Sequence, residues 1–336
     1  MKAKEEHRPF THRFGLWGRK RKMRIQDVIS SRPAIGMGMI MARYLPRRAG
    51  YALAGAAATL LTRISPQIYQ VVRANLQQVL GTSADDETLS RATYHVFRYA
   101  ACTYYDLFHI LKQGPQAIAS TVYIPPPARS HLTEALAQGK GIILATAHLS
   151  NFDLAGLAIA AQGISLQVLT LANPPKGFQL LNRLRSAGGL TTTPICVATL
   201  RAAVKRLRSG GMVATGVDRP TGHGEEMVQF FGRPAPLPMG YIRLALKTGA
   251  ILLVGCCYYE AEMGYVINIA PPMDMIRTGD RHKDRLLNAR RVIAILEGFI
   301  RDHPDQWMMF VPVWPDLPLR QRPDCVEVRQ TMGGEE

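Results

Sequence analysis

The sequence predicts an α/β fold in which a mixed central sheet is flanked by helices and preceded by an N-terminal helical segment. From about residue 130 onward, short apolar runs typical of strands alternate with segments of helical periodicity. The run GIILATA at 141–147 is apolar throughout, which is typical of a strand covered on both faces. The 336 residues are 47% hydrophobic and 20% charged, so the chain can bury a sizeable core.

The first 64 residues combine a basic tail with two short apolar stretches. Lysines and arginines crowd residues 19–24, and apolar sequence begins only at residue 34. The stretches at 34–42 and 49–62 are shorter than the ~18 apolar residues that span a bilayer, and no signal-peptide pattern is present. A helical hairpin with basic flanks is typical of an anchor in the membrane plane, so we expect residues 1–64 to associate with a membrane. The alternative is a buried core hairpin with a solvated basic tail.

Residues 65–127 have the pattern of a helical region. Apolar residues recur at helical spacing over 71–79, and an aromatic-rich apolar helix follows over 94–111. Three prolines at 125–127 form a rigid connector, so we place the start of an α/β domain at residue 128. We expect this domain to extend to residue 320 and a polar tail to occupy 321–336.

The α/β domain contains five predicted strands and six predicted helices. We expect strands at 142–147, 166–172, 212–217, 251–259 and 265–270, the last two forming a hairpin. We expect helices at 130–138, 151–162, 178–186, 199–209, 238–248 and 285–302.

The chain is strongly basic, with a formal net charge of +16. A charge of this size points to an anionic partner, which leaves a nucleic acid, a membrane surface or an acidic substrate open. We expect no nucleic-acid partner, because no nucleic-acid-binding motif is present and aromatic residues make up only 7%. A catalytically silent basic module that binds lipid or nucleic acid remains the alternative to an enzyme.

Cysteine and histidine spacing gives no sign of a bound metal. The five cysteines include no C-x-x-C pair, and no two histidines have the helical spacing of metal ligands. We expect buried, reduced thiols in a cytosolic compartment, and neither a metal nor another cofactor.

The candidate catalytic residues are His148 and Asp153, which lie where the first strand of the domain leads into a helix. Ligands of α/β proteins collect at the carboxyl ends of strands, and a carboxylate near a histidine can hold one ring nitrogen and leave the other free as a base. The pattern Ser150-x-x-Asp153 is equally typical of a capping box, in which Asp153 only closes the helix start. Spacing alone leaves both interpretations open.

The segment H-L-S-N-F-D at 148–153 resembles the HX4D motif of the lysophospholipid acyltransferase superfamily. It is most similar to the branch of lipid A biosynthesis (lauroyl/myristoyl) and phosphatidylinositol mannoside acyltransferases, with Phe152 in place of a tryptophan. Asp153 in place of glutamate favours the mannoside enzymes. The resemblance extends over about 30–316 through R-A-N-L at 73–76, N-R-L-R-S-A-G at 182–188, G-V-D-R-P at 216–220, V-Q-F-F-G at 228–232, and P-D-Q-W at 304–307 with Trp314.

The resemblance implies transfer of a fatty acyl chain from acyl-ACP or acyl-CoA to a hydroxyl of a membrane lipid, at the cytoplasmic face of the inner membrane. His148 is then the general base, and Asp153 holds its ring. The candidate substrate-binding residues are Asn151, Arg185, Asp218, Arg219 and Glu226. Asp218 and Glu226, at the end of the 212–217 strand and in the loop after it, are candidates either for acids that support the base or for binders of headgroup hydroxyls. The candidate donors to the oxyanion are the backbone N–H groups where the helix starts at Asn151, or the side chain of Arg185. Arg185 and Arg219 could instead bind phosphate, or each could form only a surface salt bridge. An esterase or thioesterase that uses the same pair with water is the alternative reaction.

Overall fold

The computed structural model of the chain describes residues 31–317, apart from residues 65, 82, 175 and 223. The basic run at 19–24 and the tail at 321–336, which includes Cys325, lie outside the described residues. The predicted division of the chain at residues 64, 127 and 320 stays a prediction.

A seven-stranded mixed sheet forms the centre of the molecule, with strand order β1-β9-β8-β2-β5-β3-β4. Its strands are β1 Val122–Tyr123, β2 Ile142–Thr146, β3 Leu166–Thr170, β4 Thr191–Pro194, β5 Met212–Gly216, β8 Ile251–Glu260 and β9 Gly264–Ile269. The run β8-β2-β5-β3-β4 is parallel, whereas β9 is antiparallel to β8 and parallel to β1. The predicted α/β class, the mixed sheet and the β8–β9 hairpin are therefore confirmed.

A separate antiparallel hairpin, β6 Glu225–Phe230 and β7 Arg233–Pro238, lies between β5 and the next helix. Its turn needs left-handed backbone, with φ of 50° at Phe231 and 73° at Gly232. This hairpin was not predicted, because three prolines in RPAPLP argue against a central strand. A two-stranded ribbon tolerates them because each strand has a free edge.

Eleven helices are present among the described residues. They are α1 Arg32–Tyr44, α2 Arg47–Ile64, α3 Pro66–Leu80, α4 Asp86–Leu111, α5 Pro115–Thr121, α6 Pro126–Ala137, α7 Phe152–Ala161, α8 Lys176–Ala187, α9 Val197–Arg208, α10 Gly240–Thr248 and α11 Arg281–Asp302. Several begin at side-chain caps: Asp85 accepts from Thr88 N–H at 2.7 Å, and Asp280 accepts from His282 N–H at 2.8 Å.

The sheet separates two hydrophobic layers, and alternate residues of β2 contribute to each. Ile143 and Ala145 pack with α9, α10 and α11 on one face, and Ile142 and Leu144 pack with α4, α6, α7 and α8 on the other. All four side chains are buried, as expected for a strand covered on both faces. This burial on both faces explains why the run is apolar without interruption.

The N-terminal hairpin α1–α2 is docked on α4 by specific contacts. A Cβ atom at Gly50 would overlap the ring of Tyr105, so the two helices approach closely there. The Tyr51 and Tyr265 hydroxyls each donate to the buried carboxylate of Asp106 at 2.6 Å. The inner face of the hairpin therefore belongs to the core. Within the described residues, no helix is long and apolar enough to cross a membrane.

Candidate active site

His148 lies just beyond the carboxyl end of β2, in the turn that leads into α7. The turn is tight: Ser150 has a left-handed backbone with φ of 44°, and the Asn151 side chain accepts the Leu154 N–H at 3.2 Å as the helix cap. The imidazole remains accessible, with 19% of the side chain exposed. The structure thus places His148 at the strand end where ligands of parallel sheets bind, as the sequence predicts.

The acid that holds the imidazole is Asp218, two residues beyond the end of β5. Strands β2 and β5 are neighbours with Thr146 opposite Gly216, so the residues that follow the two strands meet. Asp218 Oδ1 lies 2.6 Å from His148 Nδ1, and Asp218 Oδ2 accepts the His148 backbone N–H at 2.7 Å. Because an ionised carboxylate only accepts hydrogen bonds, Nδ1 carries the proton and Nε2 keeps its lone pair.

Asp218 stays charged although its side chain is fully buried. Burial raises the pKa of this carboxyl, but electrostatic attraction to the adjacent His148 and the hydrogen bonds from the His148 ring, the Trp307 indole and the His148 backbone outweigh it. The net effect is a pKa below the ordinary value of an aspartate. Asp218 is therefore ionised at neutral pH, and a negative charge at this position favours a proton on the adjacent imidazole.

Asp153, which the spacing predicts as the partner of His148, binds Arg185 instead. Its Oδ2 accepts a hydrogen bond from the Arg185 guanidinium at 2.9 Å, and Arg185 Nε lies 2.7 Å from its Oδ1. Burial lowers the pKa of Arg185, but the charge of Asp153 and its hydrogen bond raise it above the ordinary value. The hydrogen bond to the imidazole that was expected from Asp153 is made by Asp218. The Asp153 carboxylate is paired with Arg185 of α8 instead.

Arg219 follows Asp218 directly and has no carboxylate within ion-pair distance in the part of the chain that the structure describes. Burial is the main cause that lowers its pKa; Asp218 and Tyr104 oppose the change, and the positive charge of Arg185 adds to it. A half-buried cation that is held near a second cation is stabilised when an anion binds between them.

Tyr104 of α4 belongs to the same electrostatic cluster and was not predicted as a site residue. Burial raises its pKa to about 12, the nearby charge of Asp153 adds to the rise, and Arg185 and Arg219 oppose it. In the sequence it is one of several aromatic residues on a long helix, with no local signal that separates it from its neighbours.

Asn151, predicted to bind substrate, is fully buried and serves the scaffold. Besides capping α7, its amide donates to the Thr103 carbonyl of α4 at 3.2 Å. The side chain therefore uses both its donor and its acceptor inside the protein, and its role in substrate binding stays a prediction. The expected role of this segment in starting a helix is confirmed.

Glu226, also predicted to bind substrate, lies in an ion-pair network between β6, α10 and α11. Its carboxylate accepts from Arg285 at 2.6 Å and Arg243 at 3.1 Å, and His282 Nδ1 lies 3.6 Å away. Burial raises its pKa, but the two arginines lower it below the ordinary value. Among the residues described, none of these contacts is with His148 or Asp218.

Gly216, the last residue of β5, packs directly against the imidazole. A Cβ atom built at this position would lie 2.6 Å from His148 Cε1 and 3.2 Å from both ring nitrogens. A side chain here must therefore displace the ring from Asp218. Gly216 belongs to the G-V-D-R-P motif at 216–220, but this packing role was not predicted.

We expect Gly216→Ala to lower kcat by about 100-fold, because misplacing a catalytic group by about 1 Å has effects of this size. Steady-state turnover is the measurement. Gly240→Ala is the matched control, since a Cβ atom at Gly240 meets nothing within 4 Å. Its turnover is expected to stay within about threefold of wild type. Equal turnover in the two variants would contradict the proposed packing role.

Titratable residues elsewhere form no metal site in the described segments. No group of three or more His, Cys, Asp or Glu side chains could hold a metal ion there.

The expectation that the thiols are buried is wrong for one cysteine. Cys102, Cys256 and Cys257 are buried, whereas Cys196 is exposed at the start of α9.

Comparison with known proteins gives the family. The sequence profile described as bacterial lipid A biosynthesis acyltransferase matches residues 21–315. A phosphatidylinositol mannoside acyltransferase of Mycobacterium tuberculosis (strain CDC 1551 / Oshkosh) is 26% identical over 253 residues, or 72% of this chain and 76% of that protein. Proteins of the same name from M. tuberculosis H37Rv and Mycolicibacterium smegmatis are 29% and 27% identical over 55% of this chain, covering 58% and 60% of their own lengths. The profile spans well over half of the sequence, so the chain belongs to the bacterial lipid A biosynthesis acyltransferase family, whose members are enzymes that transfer acyl groups to membrane lipids.

Proposed function

We propose that this chain moves a fatty acyl group from a thioester donor, acyl-ACP or acyl-CoA, to a hydroxyl of a membrane glycolipid, with His148 as the general base. The observation that carries the proposal is the 2.6 Å contact between His148 Nδ1 and Asp218. It fixes the ring tautomer and leaves Nε2 as the basic atom on a partly exposed side chain. Family membership supplies the class of reaction.

The reaction needs one base that later acts as an acid. His148 Nε2 takes the proton of the acceptor hydroxyl while its oxygen attacks the thioester carbonyl, which gives a tetrahedral oxyanion. The intermediate collapses by breaking the carbon–sulfur bond, and the leaving thiolate receives the proton from Nε2. Asp218 stays ionised throughout and stabilises the imidazolium between the two transfers. No acyl-enzyme forms, because the acceptor supplies its own nucleophile.

The start of α7 supports the oxyanion. The first N–H groups of a helix have no partner within the helix, and those of Phe152 and Asp153 follow the His148 turn directly. Removing one oxyanion donor typically costs about 3 kcal/mol of barrier. Arg185 is the weaker candidate, since its guanidinium already binds Asp153 and the Asn182 side chain, the latter at 2.6 Å.

We propose that Arg219 binds phosphate. Its charge is unpaired among the described residues and is carried at the end of β5, next to the acid that holds the base. A guanidinium is suited to the planar, forked recognition of phosphate oxygens. Both partners of the reaction carry such a group: the thioester carriers on their pantetheine arm, and a phosphoinositide in its headgroup.

We propose a mannosylated phosphoinositide as the acceptor, since the relatives named above are phosphatidylinositol mannoside acyltransferases. The test offers the purified chain palmitoyl-CoA or palmitoyl-ACP with vesicles that contain a phosphatidylinositol mannoside, a lipid A precursor or a lysophospholipid. Mass spectrometry of the lipids is expected to show one added acyl chain on the mannoside. Acylation of the lipid A precursor or the lysophospholipid alone would overturn the choice of acceptor.

We propose that the chain acts as a peripheral protein on the cytoplasmic face of the inner membrane and that the α1–α2 hairpin makes the contact. Its outer surface carries exposed apolar side chains on both helices, and exposed cations lie at the junction between them. The apolar side chains are Met37, Ile40, Tyr44, Leu53, Leu60 and Ile64, and the cations are Arg43, Arg47 and Arg48. An apolar stripe bordered by arginines is suited to an anionic bilayer surface.

Met37→Glu is expected to weaken binding to anionic vesicles by about tenfold, because it removes an inserted apolar side chain and adds charge repulsion. Met227→Glu is the matched control: both methionines are 59% exposed, but Met227 lies on β6, away from the hairpin. Vesicle co-sedimentation at low salt measures the two variants. Point substitutions are preferable to deleting the hairpin, since deletion would uncover the buried Asp106. Equal loss of binding in both variants would contradict the assignment.

A further inference from the structure

We propose that Trp307 is a positioning residue that holds Asp218, and through it His148, in the arrangement required for catalysis. The inference rests on the proposed function of the His148–Asp218 pair. It starts from one contact: the Trp307 indole N–H donates to Asp218 Oδ2 at 2.9 Å. Nothing in the local sequence links the two residues, which are 89 positions apart.

The indole completes the set of donors around the Asp218 carboxylate. Oδ1 faces the His148 ring, and Oδ2 accepts both the His148 backbone N–H and the Trp307 indole N–H. Trp307 and Asp218 are 1% and 0% exposed, so solvent does not replace a missing donor. With both donors on Oδ2, rotation of the carboxylate about its bond to Cβ is restricted and Oδ1 stays aimed at Nδ1.

The backbone around Trp307 also fixes the backbone of the His148 turn. Met308 N–H donates to the His148 carbonyl at 2.9 Å, and Ser150 N–H donates to the Gln306 carbonyl at 2.9 Å. Between these two bonds, Leu149 and Trp307 form an antiparallel bridge. One short segment after α11 therefore holds the main chain of the base and the side chain of its acid.

This C-terminal segment, residues 304–314, is in turn fastened to the rest of the protein. The Asn75 side chain of α3 donates to the Met309 and Val311 carbonyls at 3.1 and 2.8 Å and accepts the Val313 N–H at 3.2 Å. The Gln306 side chain bridges the N–H and carbonyl of Tyr259 at the end of β8. The position of the Trp307 indole is thus determined by α3 and β8 as well as by its own packing.

Trp314 provides an internal comparison within the same aromatic cluster. Both tryptophans are 1% exposed and both pack on Phe230 and Phe231. The Trp314 indole N–H points to the Arg233 carbonyl at 3.4 Å instead of to Asp218. Replacing either ring by phenylalanine removes similar packing, but only one replacement removes a donor to the carboxylate.

The experiment compares Trp307→Phe with Trp314→Phe in the full chain. We expect Trp307→Phe to lower kcat by about 10- to 100-fold with little change in KM, the size expected for losing one hydrogen bond to a charged group. Trp314→Phe is expected to lose comparable stability but to keep kcat within about threefold. Equal kcat losses in the two folded variants would overturn the proposal.

NMR of the tryptophan indole groups tests the hydrogen bond without an activity assay and without the Trp307→Phe variant. The chain has three tryptophans, so ¹⁵N-indole labelling gives few resonances, and Trp314→Phe helps to assign them. The Trp307 indole proton is expected to shift in Asp218→Asn while that of Trp314 stays in place. An unchanged Trp307 resonance would overturn the hydrogen bond itself. Failure of the wild-type chain to transfer acyl groups would instead overturn the proposed function alone.

Discussion

Replacing His148 by alanine is expected to lower kcat for acyl transfer by roughly 10³- to 10⁴-fold, because the imidazole both accepts the hydroxyl proton and returns it to the leaving thiol. The fold should survive. The ring lies beyond the end of β2, and the hydrogen bonds of the His148 backbone to Asp218 and Met308 do not involve it. Steady-state assays with an acyl thioester and lipid acceptor measure the loss.

The matched control is His131→Ala. This histidine is also partly exposed and uses its Nδ1 in a hydrogen bond to the Ile269 carbonyl at 2.8 Å, but it lies on α6. Its removal is expected to leave turnover within about threefold of wild type. If His148→Ala stays folded and keeps turnover within tenfold of wild type, which is a barrier increase of less than about 1.4 kcal/mol, the general-base assignment is wrong. A catalytically silent lipid-binding module would show unchanged lipid binding and no turnover in either form.

Asp218→Asn is expected to lower kcat by about 10³-fold or more while leaving the site filled. An amide at this position can donate as well as accept, so it can stabilise the tautomer in which Nδ1 is the acceptor and the proton sits on Nε2, where it blocks the base. It also removes the negative charge that stabilises the imidazolium. The ¹⁵N shifts of the His148 ring report the tautomer directly.

Asp153→Asn tests which carboxylate holds His148: Asp218, which is close in space, or Asp153, which is close in sequence. It leaves Arg185, whose side chain is only 11% exposed, as a cation without its partner. The free energy of unfolding, measured by urea titration, is therefore expected to fall by about 3–5 kcal/mol. The His148 tautomer should not change, because Asp218 still holds Nδ1. The assignment fails if Asp153→Asn alters the tautomer and Asp218→Asn does not.

Local patterning was enough to predict most of the sheet. The runs at β2, β3, β5, β8 and β9 are mostly apolar and mostly buried, and each lies within two residues of its predicted range. The strands that were missed lack that signal. Strand β4 has the sequence TTTP at a sheet edge, and β7 has three prolines, so the partners that make them strands are visible only in three dimensions.

The site was predicted less completely, because sequence spacing favours near neighbours. His148 follows an apolar strand, which is a local signal, and Asp153 is the nearest acid along the chain. Asp218 is 70 residues away and comes next to the imidazole only because β2 and β5 pair in parallel. A usable signal existed: Asp218 follows β5 as His148 follows β2, and carboxyl ends of neighbouring parallel strands meet. The Trp307 contact has no such signal, since the C-terminal segment reaches the site through packing.

The most direct measurement follows both products of the acyl thioester in one reaction, with the purified chain, the thioester donor and vesicles that contain the glycolipid acceptor. Carrier thiol and acylated lipid are predicted to appear in equal amounts, and thiol release is predicted to be negligible when the acceptor is omitted. Release of thiol together with free fatty acid, at a rate that does not depend on the acceptor, would contradict direct transfer and indicate a thioesterase.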